Sequence, residues 1–157
     1  MLIKPSETAF LIIDMQVDFC SFDGICGSNW GGLAQTTSII PKIKRFHTHM
    51  QELGILTVFT RYLYNLKKTS PNFIAVMKNN GLLPVCLEGS QGAELYELTP
   101  SREDLVIDKY SYDCYAKTQL LEIFKSKIID GIQREHGIFE IFVQNLYEST
   151  KKSTDTF

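Results

Sequence analysis

The apolar positions near the amino terminus predict a buried strand. Residues 9–13 form a continuous apolar run with β-branched members. Such a run is too short for an ordinary helix and is typical of a strand covered on both faces of a parallel sheet. Residues 55–60 (ILTVFT) and 105–107 have the same character, and 138–143 (IFEIFV) is a candidate fourth strand. The sequence therefore predicts a core of short, buried strands.

Segments with the apolar spacing of a helix lie between these predicted strands. Between residues 38 and 53 the apolar positions recur every three or four residues, which predicts an amphipathic helix that Gly54 ends. A second helical pattern runs over 115–132 and a weaker one over 73–77, whereas 17–33 shows no sustained period and is predicted to be a loop. Strand, helix and strand in this order form a βαβ unit, which implies parallel pairing and a right-handed crossover.

Length and charge narrow the class of protein. The 157 residues suit one domain, predicted over residues 1–143, and the polar residues 144–157 predict a poorly ordered tail. A net charge of -2 and a pI near 5.9 argue against a nucleic-acid or anionic-membrane partner. The amino terminus has no long apolar segment of the secretory type, and no apolar run is long enough to cross a bilayer. We therefore expect a cytoplasmic protein.

The cysteines and histidines give no metal-site spacing. The four cysteines have neither the density of a disulfide scaffold nor the CxxC spacing of a zinc site, so we expect reduced thiols. His47 and His49 are two residues apart and would point to nearly opposite faces of a helix, so they cannot share an ion. His136 is remote from both in sequence. We predict no bound metal and no cofactor.

Two charged residues follow predicted strands. Asp14 closes the first apolar run and Lys109 follows the third. The carboxyl ends of parallel strands are where open α/β sheets place their ligands, so the two side chains would converge in one pocket. A carboxylate and an ammonium are what a thiol nucleophile needs, as a base and as a cation that lowers its pKa. The alternatives are a turn-capping aspartate and an ordinary salt bridge at a sheet end.

Four stretches carry a family resemblance. They are AFLIIDMQVDF, ELGILTVFTR, EGSQGAEL and DLVIDKYSYDCYAKTQL, which occur in order between about residues 8 and 125. Together they resemble the isochorismatase-like cysteine hydrolases, a superfamily with nicotinamidases, ureidoacrylate amidohydrolases and N-carbamoylsarcosine amidohydrolases. The resemblance implies a three-layer α/β/α fold with a parallel sheet. The first strand would be central, with the second and third strands on one side and later strands on the other.

The same resemblance implies a catalytic triad of Asp, Lys and Cys. By position in the matching motifs, Asp14 would be the general base and Lys109 the activating cation. The thiolate of the triad would attack an amide or related carbonyl of a small-molecule substrate, and water would hydrolyse the resulting thioester. Metal-binding nicotinamidases carry a DxH-type element after the second strand, where this chain reads TRYLYN.

The sequence departs from the family at the nucleophile. The family cysteine follows a further strand in a stretch resembling GVxTNxCVxxT, whereas this chain reads DGIQREHGIFEIFVQNLYEST and has no cysteine after Cys114. The nearest counterpart of the nucleophile is around Tyr147. Cys114 occupies the alanine of the family's Ser-Ala-Phe element, five residues after Lys109, and is the candidate substitute for the nucleophile near the pocket. The alternative for Cys114 is a small, inert residue of the core. Cys20, in the first loop, is no better placed.

The sequence thus predicts an isochorismatase-like α/β domain that is incomplete at its carboxyl end through truncation, altered splicing or family variation. The leading hypothesis is a hydrolase of amide or related C–N bonds that is inactive or strongly impaired without its cysteine. One alternative is a non-catalytic binding or regulatory protein that pairs with full-length relatives, and another is a fragment without function. An apolar strand at 138–143 without its covering elements would also favour self-association through an exposed sheet edge.

Overall fold

The computed structural model describes residues 4–30, 34–128 and 137–141. Within these ranges strands and helices alternate along the chain, as the βαβ pattern predicts. The elements are β1 (Thr8–Ile13), α1 (Val17–Cys20), α2 (Ile25–Trp30), α3 (Ala34–Glu52), β2 (Leu56–Tyr62), α4 (Pro71–Asn79), β3 (Leu105–Lys109), α5 (Leu120–Ile128) and β4 (Gly137–Ile141).

The four strands form one parallel sheet in the order β3-β2-β1-β4. All six residues of β1 are buried, as expected of a strand covered on both faces. The register places Ile13 opposite Thr60 and Tyr62 opposite Lys109, so β1, β2 and β3 end at the same edge of the sheet. The parallel α/β fold and the central position of the first strand are thereby confirmed.

Two apolar layers sandwich the sheet. On one face α3 packs Ile43 and Met50 against a cluster that includes Phe10 and Phe59. On the other face α5 contributes a second cluster of buried side chains, with strand residues of β1 and β2 and the helix residues Leu120 and Phe124. The alternation of side chains along each strand divides them between the two layers. This is the three-layer α/β/α arrangement that the family resemblance implies.

A third cluster closes the carboxyl edge of the sheet. The helix α4 begins after Ser70, whose hydroxyl accepts a hydrogen bond from the backbone N–H of Phe73 (3.2 Å), with Pro71 in the first turn. Its residue Met77 is buried against Tyr62 at the end of β2, together with Leu63, Tyr64, Cys86 and Ala93. The helix therefore covers the sheet end where Asp14 and Lys109 were predicted to meet.

Two short helices replace the loop predicted over 17–33, so that prediction was wrong where the chain is described. The glycines that suggested a loop are needed for close packing. A Cβ on Gly24 would lie 2.3 Å from the carbonyl oxygen of Val17, and one on Gly27 would lie 2.3 Å from that of Ser21. Glycine here permits α1 and α2 to pack at short range, and its presence says little about helix content.

Helix boundaries also differ from their predicted positions. The helix α3 begins at Ala34 instead of near residue 38, so Pro41 lies inside it. The helix α5 begins at Leu120 instead of 115. Upstream of α5, Lys117 has a left-handed φ of 58° and the Thr118 hydroxyl accepts a hydrogen bond from the backbone N–H of Leu120 (3.3 Å), which starts the helix there.

The predicted end of that helix at 132, the last two residues of the strand predicted over 138–143, and the predicted tail at 144–157 lie outside the described residues. The single-domain prediction for residues 1–143 stays a prediction. Among the described helices, none combines the length and the apolar character that crossing a bilayer requires.

Candidate active site

Asp14 lies at the carboxyl end of the central strand, where the backbone leaves β1. Its φ of 54° is left-handed, a conformation that aspartate tolerates better than most residues. The backbone N–H of Asp14 donates to the carbonyl oxygen of Thr60 on β2 (3.1 Å). The turn therefore sends the Asp14 carboxylate sideways over the end of β2, and 18% of the side chain remains exposed.

Lys109, the last residue of β3, reaches this carboxylate across β2. Its side chain is 1% exposed, and Nζ lies 2.6 Å from Oδ2 of Asp14. Nζ also donates to the carbonyl oxygens of Ser111 and Tyr112, both at 3.2 Å. An ammonium group has three hydrogens, and these three acceptors use them all. The cation therefore also anchors the loop that follows β3.

The ion pair is strongly desolvated. Burial raises the pKa of Asp14 above its ordinary value of 3.8, although the charge and hydrogen bond of Lys109, the hydroxyl of Thr60 and the backbone of Tyr62 act in the opposite direction. A carboxyl group with a raised pKa is a better proton acceptor than an exposed aspartate once it is ionised. The geometry is thus suited to a base beside a fixed positive charge.

Two further residues of the segment after β1 hold the surrounding loops. Gln16 is fully buried, and its Nε2 donates to the carbonyl oxygens of Tyr62 (2.8 Å) and Ala93 (2.7 Å), while its Oε1 accepts from the N–H of Tyr62 (2.7 Å). The buried carboxylate of Asp18 accepts from the backbone N–H of Cys86 (2.6 Å) and of Ile25 (3.3 Å). These bonds fix the chain segments that border the site.

Aromatic rings flank the ion pair. The ring of Tyr62 lies 5.8 Å from Nζ of Lys109, and Tyr112 stacks on Tyr62 with ring centres 6.3 Å apart. Phe73, on α4, meets Tyr112 edge-on at 4.8 Å. The carbonyl of Tyr112 is one of the acceptors of Lys109. The position of this aromatic wall is therefore coupled to the ammonium group.

A second charged cluster joins Tyr110, the residue after Lys109, to Glu88 and to residues 65 and 68. Glu88 accepts hydrogen bonds from Lys68 (2.7 Å), Tyr110 (2.8 Å) and the amide of Asn65. These contacts lower the pKa of Glu88 to about 2. Because Tyr110 directly follows Lys109, these hydrogen bonds hold the chain after β3 against the segments that contain Asn65 and Glu88.

Three of the four cysteines lie in environments that do not favour a thiolate. Cys20, Cys26 and Cys86 are buried, and burial raises the pKa of the first two thiols to about 12 and that of Cys86 further. A thiol with so high a pKa carries almost no thiolate near neutral pH, so it is a poor nucleophile. Cys114 is half-buried and packs against the apolar cluster beneath α5.

The histidines have separate structural positions, as their spacing indicates. His47 is buried, and its Nε2 lies 2.9 Å from Oδ2 of Asp104, whereas His49 is exposed with Glu52 at 3.4 Å. Among residues 4–30, 34–128 and 137–141, no group of three or more His, Cys, Asp or Glu side chains is arranged to hold a metal ion. His136 lies outside those ranges.

The sequence pattern predicted Asp14 and Lys109 as residues of one site, and in the structure their side chains are in contact. It did not single out Thr60, Gln16 or Asp18, which hold the pair and its loops. A signal was present for two of them, because polar residues at every second position, 14, 16 and 18, interrupt an otherwise apolar stretch. Thr60 gave no signal, since threonine is common in buried strands.

Comparisons with known proteins agree on the fold. A family model described as the isochorismatase domain matches residues 8–133. No curated protein matches the chain. Among solved structures, a cysteine hydrolase from Pseudomonas syringae is similar with a TM-score of 0.68 and 20% identity, over 87% of this chain and 70% of that one.

Two other solved structures extend the comparison. A pyrazinamidase of Pyrococcus horikoshii in complex with zinc gives a TM-score of 0.60 and 24% identity, covering 82% of this chain and 67% of that chain. An N-carbamoylsarcosine amidase from Thermoplasma acidophilum gives a TM-score of 0.61 and 16% identity, covering 93% of this chain and 91% of that chain. At such identities the likeness concerns the fold.

Proposed function

Because the chain belongs to the isochorismatase family, we propose that its Asp14–Lys109 pocket binds a small molecule with an amide or related C–N bond, as a hydrolase of that class would. The observation that carries the proposal is the buried contact of 2.6 Å between Asp14 Oδ2 and Lys109 Nζ at the carboxyl ends of parallel strands. A sheet end of this kind is where α/β proteins place their ligands. The family membership supports a ligand with an amide or related C–N bond.

The proposed roles follow from charge and position. In a cysteine-hydrolase reaction a carboxylate in the place of Asp14 would take the proton of a thiol, and the thiolate would form a bond to the substrate carbonyl carbon. The amine leaves with a proton, and water then cleaves the thioester. Lys109 keeps a positive charge beside the reacting groups, where it stabilises the thiolate. Its hydrogens are already used by Asp14, Ser111 and Tyr112, so we propose that it acts through charge.

We further propose that this chain is inactive or strongly impaired in hydrolysis. It has no cysteine in the stretch that corresponds to the family's nucleophile motif. Of the cysteines it has, three are buried thiols with raised pKa values. Cys114 packs against the apolar cluster of Leu120 and Phe124. Loss of a nucleophile commonly lowers kcat by many orders of magnitude.

A second candidate function is binding without turnover, in a regulatory protein that keeps the pocket. It is favoured by the intact ion pair together with the well-braced loops around it, because Gln16, Asp18 and Glu88 all hold that edge of the sheet. A protein with a purely structural role would not need a desolvated ion pair at this position, because the burial of charged groups has a high desolvation cost.

Turnover and binding can be tested on the same preparation. Ammonia release from nicotinamide, a ureido compound and an N-carbamoyl amino acid is measured for the wild type, Asp14→Asn, Lys109→Met and Cys114→Ala. Binding of the same compounds is followed by NMR chemical-shift changes. We expect no rate above the buffer blank for any of the four proteins, and shifts in the wild type that Asp14→Asn and Lys109→Met reduce.

The outcomes separate the two parts of the proposal. Turnover that Cys114→Ala abolishes, together with a covalent adduct on Cys114 in a thiol-trapping experiment, would overturn the proposed inactivity and support the hydrolase. Binding that Asp14→Asn and Lys109→Met leave unchanged would place the ligand elsewhere and contradict the proposed pocket.

A further inference from the structure

Thr60 holds the carboxylate of Asp14 from the strand between the two members of the ion pair. Its side chain is fully buried, and Oγ1 donates to Oδ1 of Asp14 at 2.8 Å. Its backbone carbonyl accepts from the N–H of Asp14 at 3.1 Å. The same residue therefore fixes both the backbone and the side chain of Asp14.

The two carboxylate oxygens of Asp14 consequently have different partners. Oδ2 faces the ammonium of Lys109 and Oδ1 faces the hydroxyl of Thr60. A carboxylate that had only the ammonium as a partner could turn about its last side-chain bond and offer either oxygen to it. Threonine is stiff at χ1, so its hydroxyl occupies a fixed position and selects one orientation.

A neighbouring threonine shows that this contact is specific to position 60. Thr57 lies on the same strand and is also buried, yet its hydroxyl has no hydrogen-bond partner among the described residues. Buried threonines of β2 therefore differ in what their hydroxyls do. Thr57 is a matched control for the removal of a buried hydroxyl from this strand.

We propose that Thr60 is a positioning residue for Asp14, which holds Oδ1 so that the carboxylate keeps one orientation beside Lys109. The catalytic meaning of this role rests on the proposed function, but the contact itself and its effect on the carboxylate do not. A hydrogen bond from a hydroxyl to an ionised carboxylate is charge-assisted and stabilises the ionised form.

A substitution at Thr60 leaves the other groups that act on Asp14 unchanged, including the backbone of Tyr62, which also forms a hydrogen bond with the carboxylate. Lys109 on β3 is the nearest charge. The Tyr62 phenol on β2 and the thiols of Cys20 and Cys86 also interact electrostatically with Asp14. Burial keeps these phenol and thiol groups neutral near pH 7, because it raises the pKa of each. A change in the titration of Asp14 on substituting Thr60 therefore reports the hydroxyl.

The test is a titration of the Asp14 carboxyl carbon by NMR in the full chain. The proteins are the wild type, Thr60→Val, Thr60→Ser and Thr57→Val. Thr60→Val keeps the shape of the side chain and removes the donor, so we expect the pKa of Asp14 to rise. Thr60→Ser keeps the hydroxyl and should restore the wild-type value. Thr57→Val should leave the pKa of Asp14 unchanged.

Thr60→Ala serves the same purpose as Thr60→Val if the valine variant does not fold. An unchanged Asp14 pKa in the folded donor-less variant, or an equal rise in Thr57→Val, would overturn the proposal. Because this measurement needs no substrate, failure of the proposed function would leave its result unaffected. Conversely, a chain with ligand binding but no effect of Thr60 on Asp14 would retain the proposed function and refute the positioning role.

Discussion

Gln16 and Tyr62 exchange two hydrogen bonds, one in each direction, between a side-chain amide and a peptide backbone. Nε2 of Gln16 donates to the Tyr62 carbonyl at 2.8 Å, and Oε1 accepts from the Tyr62 N–H at 2.7 Å. The side chain thus pairs with the last residue of β2 as a neighbouring strand would. The third bond, to the carbonyl of Ala93, holds the short 3-10 helix Gln91–Ala93 at the same point.

Replacing Gln16 by leucine should destabilise the fold. The change leaves the buried N–H and C=O of Tyr62 and the C=O of Ala93 without the amide, and each unsatisfied buried group costs about 1–3 kcal/mol. We expect a loss of about 3 kcal/mol in the free energy of unfolding, measured by urea denaturation. Gln119→Leu, at an exposed position, is the control and should change stability by less than about 0.5 kcal/mol. Equal effects of the two changes would contradict the role of Gln16.

The stability contribution of Asp14 should fall as the pH rises. Burial holds its pKa in the folded chain above the ordinary value of 3.8. Between these two values the folded state binds more protons than the unfolded state, so the free energy of unfolding decreases with pH. The favourable contribution is complete below the unfolded pKa and is lost as the pH passes through the folded one.

Urea denaturation of the wild type and of Asp14→Asn at a series of pH values that rises from the ordinary pKa of 3.8 measures this dependence. We expect the difference in unfolding free energy, wild type minus variant, to decrease along that series. A difference that grows with pH would mean that the attraction of Lys109 outweighs the desolvation of Asp14, and would reverse the sign of the pKa shift.

The sequence could predict only those interactions of the site whose residues stand in a recognisable local pattern. Asp14 and Lys109 each follow a short apolar run, and parallel pairing brings the ends of such runs to one edge. The contact between them was therefore predictable from pattern. The hydroxyl of Thr60 was not, because Thr57 is an equally buried threonine of the same strand with a different role.

The same distinction explains the errors in the fold. The segment after β1 was expected to be a loop because its glycines break helical periodicity. In the structure the backbone at Gly24 and Gly27 lies so close to the backbone of α1 and of the residues after it that a Cβ atom would not fit. Glycine is therefore required by the packing of α1 against α2 and not by a turn. A pattern read along the chain cannot distinguish a glycine needed for a turn from one needed for close packing.

His47 and His49 lie on one helix and should respond very differently to substitution by alanine. His47 Nε2 is 2.9 Å from Oδ2 of Asp104, whose side chain is only 2% exposed, and the His47 ring also meets Phe59 edge-on at 5.2 Å. His47→Ala removes both contacts and leaves a buried carboxylate with fewer partners. We expect a loss of about 2 kcal/mol in the free energy of unfolding.

His49→Ala is the matched control, because the substitution and the helix are the same while the side chain is exposed. Its effect should be within about 0.5 kcal/mol. Thermal and urea unfolding of both variants give the comparison. Similar losses would mean that the contact with Asp104 contributes nothing beyond helix propensity.

Self-association through β4 is expected from the order of the strands. β4 pairs with β1 on one side, and among residues 4–30, 34–128 and 137–141 no strand pairs with its other side. Its sequence, GIFEI, is mostly apolar. Unpaired backbone groups on an apolar edge strand are a template for pairing with another chain. We therefore expect dimers or larger species whose population increases with protein concentration.

Sedimentation velocity over a range of about 1 to 100 µM measures the association. The opposite edge of the sheet is β3, where Val106 is 44% exposed, so Val106→Lys puts a charge on that edge alone. Association through β4 should be unaffected by this change, because β2 and β1 separate the two edges. Loss of association in Val106→Lys would assign the interface to β3. A monodisperse monomer over the whole range, with a cooperative thermal transition, would show that the sheet needs no second chain at either edge.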